Sequence, residues 1–105
     1  MKKYGTDDGP VLAFKALADP KRLQVLELLK ARGESCCSLV GSDEAGLCAC
    51  DLEDALGVSQ SVVSHHMEAL CRAGLVLREK RGRWMYYRRN EAALGRLAHA
   101  VAKEI

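Results

Sequence analysis

The segment from residue 51 to residue 74 constrains the fold most, because it encodes two short helices joined by a tight turn. The first part, DLEDALG, predicts a short helix, and residues Gly57 to Ser59 predict a tight turn. A longer helix is predicted from Gln60 to Ala73. Ser59 suits the N-cap of the second helix and Gly74 suits its end. Each helix places aliphatic residues one turn apart on a single face, and these are expected to point inward: Leu52, Leu56, Val63, Met67 and Leu70. Two short helices around a turn of this kind form a helix-turn-helix arrangement.

Further helical patterns precede and follow this unit. A short helix is predicted from Val11 to Leu17, and a second begins at Pro20, with Asp19 as its N-cap. The second helix is expected to bury one stripe of aliphatic residues: Leu23, Leu26 and Leu29. A closing helix from Glu91 to Ile105 carries another such stripe: Leu94, Leu97, Ala98 and Val101. A single small core could not cover this last stripe fully, which predicts a homodimer that buries the first and last helices.

Between the helix-turn-helix and the closing helix, LVLREK, RG and RWMYYRRN predict two strands around a tight turn at residues 81–82. This hairpin holds a surplus of Lys and Arg over its one Glu, whereas the acidic residues of the chain cluster elsewhere. Some of its aromatic residues, Trp84, Tyr86 and Tyr87, must face the core. A helix in the major groove of DNA with a cationic hairpin beside it is a coherent nucleic-acid reader. The sequence therefore predicts a mainly α fold with a β-hairpin wing, a winged helix-turn-helix.

Length and composition limit the alternatives. The 105 residues suffice for one domain, 1–105, in which residues 1–9 are expected to be frayed and residues 34–47 to form a long loop. No apolar run approaches the roughly 20 residues of a membrane span, so a cytoplasmic protein is expected. Five cysteines in a reducing compartment then point to free thiols, metal ligands or redox chemistry. The chain shows neither a Cys-x-x-Cys motif nor a paired carboxylate site, and enzymatic activity is not expected.

Three ordered motifs, LADPKRLQVLELL, LCACDLEDALGVSQSVVSHHMEALCRAGLV and REKRGRWMYYRRN, resemble the ArsR/SmtB family of metal- and metalloid-responsive repressors. The resemblance covers about residues 11–103. It implies a homodimeric winged-helix repressor, dimerised through its first and last helices, that leaves operator DNA when an inducer binds. It also implies that the Cys-x-Cys-Asp-Leu box, here Cys48 to Leu52, is the inducer site of the arsenic, antimony, lead or cadmium type.

The cysteines of the box allow two interpretations. Cys48 and Cys50 could be small core side chains, since cysteine is often buried. Their position at a helix N-terminus instead favours the thiolate, which binds soft ions. The third cysteine of the arsenic-type pattern is replaced by Glu53, a poor ligand for As(III). A third sulfur would then come from Cys36 or Cys37, although these two could also be incidental loop residues.

The remaining cysteine and the two neighbouring histidines receive separate predictions. Cys71 continues the inward stripe of its helix and is expected to pack in the core. His65 and His66 are adjacent, so they cannot share one helix face as a metal pair, and both are expected to meet DNA or cap a phosphate.

Polar residues at the start of the second helix of the unit are candidates for base contacts: Gln60, Ser61, Ser64 and His65. Basic residues at the hairpin tip are candidates for phosphate or minor-groove contacts: Lys80, Arg81 and Arg83. The plainer alternative for both sets is an ordinary solvated surface.

The function expected is repression relieved by As(III) or Sb(III), with Cd(II) and Pb(II) as further candidate inducers and no cofactor required for DNA binding. The alternative is a redox- or persulfide-sensing repressor that forms a disulfide between a loop cysteine and the box.

Overall fold

The computed structural model of the chain describes residues 9–31 and 47–103. Within these two ranges, five helices and three strands follow one another in the order α1 (Gly9–Leu17), α2 (Pro20–Ala31), β1 (Leu47–Cys48), α3 (Ala49–Leu56), α4 (Gln60–Arg72), β2 (Val76–Arg81), β3 (Trp84–Arg89) and α5 (Glu91–Lys103). The predicted mainly α fold with a hairpin wing is confirmed. Most of the residues expected to be frayed lie outside the described part of the chain, but Gly9 already belongs to α1.

Side-chain caps and one left-handed glycine define the helix-turn-helix and the helix before it. The Asp19 carboxylate accepts the backbone N–H of Lys21 at 2.8 Å, which starts α2 as predicted. Gly57 ends α3 with φ +68°, a conformation that residues with a Cβ rarely adopt. The Ser59 hydroxyl then accepts the N–H of Val62 at 3.4 Å and starts α4. The turn between α3 and α4 is therefore defined by the left-handed Gly57 at its start and the Ser59 cap at its end.

Helices α1, α2, α3 and α4 and one face of the sheet share a hydrophobic core. The predicted inward residues of α3 and α4 are all buried. In α2 the prediction was wrong at Leu23, which is 52% exposed, whereas Val25 is fully buried beside Leu26 and Leu29. A spacing of three residues rotates by about 60° per step around a helix, so three such leucines cannot stay on one narrow face. The buried face follows spacings of three and four instead.

The sheet contains one strand that the sequence did not indicate. Its strand order is β1-β3-β2, with both pairs antiparallel, and Cys48 lies opposite Tyr86. Leu47 was expected to end the long loop 34–47, but it belongs to β1 and pairs with Tyr87 of β3. The rest of that loop, residues 34–46, lies outside the described residues. Arg81 pairs with Trp84, which moves the predicted turn by one residue to residues 82–83. Gly82 supplies the positive φ of this two-residue turn.

Helix α5 attaches to the domain mainly through its start. The side-chain amide of Asn90 donates to the carbonyl of Gly74 at 2.9 Å, and its side-chain oxygen accepts the N–H of Ala93. No residue within the described length of α5 is buried, and Val101 is 47% exposed. Leu94 and Leu97 pack partly against the core, whereas Ala98 and Val101 at the end of the stripe are exposed. Among the described residues, no helix is long and apolar enough to cross a bilayer.

Candidate metal centre and nucleic-acid interface

Cys48 and Cys50 bring their sulfur atoms together at the start of α3. Cys48 is the N-cap of the helix with extended backbone angles, and Cys50 is the second helical residue. Their Sγ atoms lie 2.8 Å apart. Cys48 is only 1% exposed, while Cys50 is partly accessible to solvent. These two residues are called the cysteine pair below.

Asp51 adds a carboxylate to the cysteine pair. Its Oδ2 accepts the backbone N–H of Cys48 at 3.1 Å and lies 3.3 Å from the Sγ of Cys48. Within residues 9–31 and 47–103, this is the one group of three or more potential ligands whose donor atoms come together, all within 4.8 Å of one another. Sequence reasoning missed Asp51 as a donor, although a carboxylate three residues after an N-cap is the usual position of a capping box. Glu53, which replaces the third cysteine of the arsenic-type pattern, is not part of this group.

The cysteine pair fits a soft ion better than a hard one. Two thiolate sulfurs are suitable ligands for a thiophilic ion, and one carboxylate does not make the site a hard-cation site. An ion bound between the two sulfurs would have to fit at this close contact. Cys48 is buried where β1 ends and α3 begins, so an ion at the cysteine pair would lie against both elements.

Helix α3 connects the cysteine pair to the recognition helix α4. Leu52 and Leu56 are buried on the face of α3 that belongs to the core, together with Val63 and Met67 of α4. The Lys21 ammonium of α2 donates to the carbonyl of Leu56 at 3.2 Å and so stabilises the far end of α3. The start of α3 and the packed face of α4 are therefore connected through buried side chains.

The four polar residues predicted for base contact lie on the exposed side of α4: Gln60, Ser61, Ser64 and His65. All four are near the N-terminal end of the helix, which is the end that reads base edges in helix-turn-helix proteins. The Ser59 and Ser61 hydroxyls lie 3.3 Å apart and can share a hydrogen bond. The structure thus presents the set together on one accessible surface.

His66 does not face the exposed surface, and the expectation that it meets DNA was wrong. It is 8% exposed and its Nδ1 accepts from the Arg22 Nε at 3.0 Å, so it joins α4 to α2. Burial lowers the pKa of His66, as do the charges of Arg22, His65 and Lys21, against the opposing effect of Asp19. The buried positions of α4 at 63, 66, 67 and 70 have helical spacing, which is the sequence signal that could have placed this histidine inward.

The wing residues differ in how strongly the protein holds them. Lys80 and Arg83 are exposed, whereas the Arg81 side chain is 27% exposed and pairs with Glu79 at 3.1 Å. Arg81 also stacks on the ring of Tyr86, with its guanidinium carbon 5.2 Å from the ring centroid. Two of the three predicted phosphate contacts therefore project into solvent, and the third lies against the sheet.

Cys71 is partly buried in α4 and packs against the core, as predicted. Burial raises the pKa of its thiol, with Arg78 acting in the opposite direction. The group of potential ligands at the start of α3 does not include Cys71. Cys36 and Cys37, the candidate third ligands, lie outside the described residues.

Comparisons with known proteins agree with this geometry. The family model described as "Bacterial regulatory protein, arsR family" matches residues 42–77. An uncharacterized HTH-type transcriptional regulator of Bacillus subtilis, YbzH, is 38% identical over 98 residues, covering 91% of this chain and 98% of that protein. The arsenical resistance operon repressor of the same organism is 38% identical over 78 residues, covering 74% of this chain and 63% of the repressor.

A solved structure extends the comparison from sequence to fold. It is the homodimeric winged helix-turn-helix DNA-binding domain of a possible ArsR-family transcriptional regulator from Mycobacterium bovis. It matches with a TM-score of 0.65 at 28% identity, covering 91% of this chain and 80% of that one. The helix-turn-helix and its wing agree with these matches, and the chain belongs to the ArsR family of transcriptional regulators.

Proposed function

We propose that this chain represses transcription by binding operator DNA as a homodimer, and that a soft metal or metalloid ion bound by Cys48 and Cys50 releases it. The observation that carries the proposal is the 2.8 Å contact between the two sulfurs at the start of the helix that packs on α4. As(III) and Sb(III) are the first candidate inducers, with Cd(II) and Pb(II) next, because all of them bind thiolates well. Arsenical resistance repressors among the relatives support this choice.

DNA contact is assigned to α4 and the wing. Gln60, Ser61, Ser64 and His65 would face base edges in the major groove, and Lys80, Arg81 and Arg83 would neutralise phosphates. In a two-fold dimer, the two α4 helices should lie about 34–36 Å apart, one turn of duplex, which requires a pseudo-palindromic operator. Base contacts set the sequence preference in this proposal, and the wing contributes affinity that depends on salt.

The homodimer is proposed from the uncovered surfaces of α1 and α5. A groove of about 310 Å³ opens between these helices and the end of α4, and its lining is mostly apolar: Pro10, Ala13, Ala73, Leu75, Ala93, Arg96, Leu97 and Ala100. The exposed stripe of α5 continues from this groove. A second copy of the chain would bury both, as the helices of symmetric dimers do. The Mycobacterium bovis domain is homodimeric, which supports a dimer but does not specify its interface.

The test is a mobility-shift assay on the promoter of the protein's own gene, in excess reductant, with As(III), Sb(III), Cd(II), Pb(II) and Zn(II) compared. We expect release by the thiophilic ions, loss of that response in Cys48→Ser and Cys50→Ser, and a normal response in the matched control Cys71→Ser. Replacing both Cys36 and Cys37 is expected to weaken the response without abolishing it. A Cys48→Ser protein that still leaves DNA on addition of As(III) would contradict the proposal.

The same sulfur contact favours a second candidate, an oxidation switch. Sulfurs 2.8 Å apart need little movement to form a disulfide, and a loop cysteine could serve as the partner instead. In that case peroxide or a persulfide would release DNA in the absence of any ion, and excess reductant would restore binding. Adding the oxidants to the same assay separates the two functions.

A further inference from the structure

One row of side chains crosses the sheet from the cysteine pair to the wing. Cys48 lies opposite Tyr86 in the β1–β3 pair, and Tyr86 lies opposite Glu79 in the β3–β2 pair. Directly opposed residues on antiparallel strands project their side chains from the same face of a sheet. Arg81 is two residues beyond Glu79 and therefore shares that face. The four residues therefore lie in one row on the same face, from the cysteine pair to the tip of the wing.

This row lies on the sheet face opposite the main core. The neighbouring pair on the other face, Leu47 and Tyr87, belongs to the core cluster, which contains neither Cys48 nor Tyr86. Cys48 and Tyr86 are nevertheless 1% and 8% exposed. On this face Cys48 lies opposite Tyr86, so a displacement of Cys48 acts on β3 as well as on α3.

The far end of the row holds a residue assigned to DNA contact. The Arg81 guanidinium stacks on the Tyr86 ring at 5.2 Å and pairs with Glu79 at 3.1 Å, and these contacts keep it against the sheet. Its neighbours in the wing, Lys80 and Arg83, are exposed. Arg81 is thus the wing cation whose direction depends on the position of a buried ring.

We propose that Tyr86 is a positioning residue that transmits occupancy of the cysteine pair to Arg81. An ion bound by the cysteine pair acts on the Cys48 side chain, and Tyr86 is the residue opposite Cys48 on the same face of the sheet. The ring shifts, the stacked guanidinium turns away from its DNA-binding direction, and the wing loses a phosphate contact. This route runs through the sheet and is separate from the path through α3 to α4. It rests on the proposed function, since it describes how the same site regulates the same DNA-binding surface.

The experiment compares Tyr86→Leu, which removes the aromatic ring, with Tyr86→Phe, which keeps the ring and the stacking. The release factor is the ratio of the operator dissociation constants with and without saturating As(III), a ratio that is typically about 5–150 for coupled sites. We expect Tyr86→Phe to retain the native factor. We expect Tyr86→Leu to reduce it at least about fivefold, a change within the usual range of coupling. As(III) affinity, measured by the ultraviolet absorption of the arsenic–thiolate bonds, should stay unchanged in both. A Tyr86→Leu protein with native As(III) affinity and the native release factor would overturn the proposal.

A second measurement on the full ¹⁵N-labelled chain does not require DNA release. Phenylarsine oxide and Cd(II) are added as probes while the Arg81 Nε–Hε resonance, assigned by its loss in Arg81→Lys, is followed. The resonance should move on binding in the native and Tyr86→Phe proteins and stay in place in Tyr86→Leu. Binding without movement in the native protein overturns the coupling alone. Movement without DNA release leaves the coupling standing and overturns the proposed function. Absence of binding to the cysteine pair overturns both.

Discussion

Asp51 offers the most informative single substitution, because it could act as a helix cap or as an ion ligand. Its carboxylate accepts the N–H of Cys48 at 3.1 Å in the first turn of α3. Loss of a helix N-terminal cap costs about 1 kcal/mol, within a range of about 0.5–2. Loss of a negative charge near the N-terminus of the helix dipole adds about 0.3–1 kcal/mol. Asp51→Ala should therefore lower the free energy of unfolding by about 1.5 kcal/mol.

Asp51→Asn keeps the accepting oxygen and removes only the charge, so it should lose no more than about 0.3–1 kcal/mol. Asp54→Asn is the matched control, since Asp54 lies later in α3 and is exposed. Urea unfolding followed by circular dichroism measures these differences. In a heating experiment, 1.5 kcal/mol corresponds to a fall in Tm of roughly 6–12 °C for a domain of this size. An Asp51→Ala protein as stable as the native one would show that the capping assignment is wrong.

The same variants separate capping from ion binding. If the two sulfurs dominate, Asp51→Asn should change As(III) affinity by less than about threefold, because a carboxylate is a poor ligand for this ion. Cd(II) is more tolerant of oxygen ligands and should lose more affinity than As(III). Equal, large losses for both ions would instead make Asp51 a full ligand of the site.

Three further predictions follow from burial and charge. The pKa of His66 is lowered on folding, so the unfolded state binds more protons near pH 6. The contribution of His66 to the free energy of unfolding should therefore be constant above about pH 6.5 and fall below it. In urea unfolding at pH 5.5 and 7.5, His66→Gln should flatten this dependence. Lys80→Gln and Arg83→Gln should each weaken binding to all DNA sequences and reduce the slope of log K against log salt by about 1, and an unchanged slope would exclude the phosphate contact. Leu52 is buried, so Leu52→Ala should lower the free energy of unfolding by about 2–5 kcal/mol. Leu23 is exposed, so Leu23→Ala should lower it by less than about 0.5 kcal/mol. Equal losses in the two variants would contradict this packing.

The sequence was sufficient for the helix-turn-helix because several local signals agree there. Ser59 and Gly57 mark the turn, and the aliphatic spacing of α3 and α4 matches their buried faces. It was insufficient for β1, since a strand of two residues has no periodicity and depends on its pairing with β3. The helical spacing of α4 could have placed His66 inward, but its pairing with Arg22, 44 residues away in sequence, could not be read from a local pattern. Local patterns fix helices and turns, whereas pairings between distant residues need the fold.

The candidate site shows the same division. Two cysteines one residue apart at a helix start could be identified from their spacing, and the structure brings their sulfurs into contact. The position of Asp51 Oδ2 against Cys48 and the row from Cys48 to Arg81 depend on the capping geometry and the strand register, which the sequence does not specify.

The central claim is that an ion held by the cysteine pair causes release from DNA. It is tested most directly by fluorescence anisotropy of a labelled operator duplex bound to the native, Cys50→Ser and Cys71→Ser proteins at saturating As(III) in excess reductant. We expect the native and Cys71→Ser proteins to lose DNA affinity by the same factor, within the range of about 5–150, and Cys50→Ser to bind DNA equally well with and without As(III). Equal release of native and Cys50→Ser proteins would contradict it.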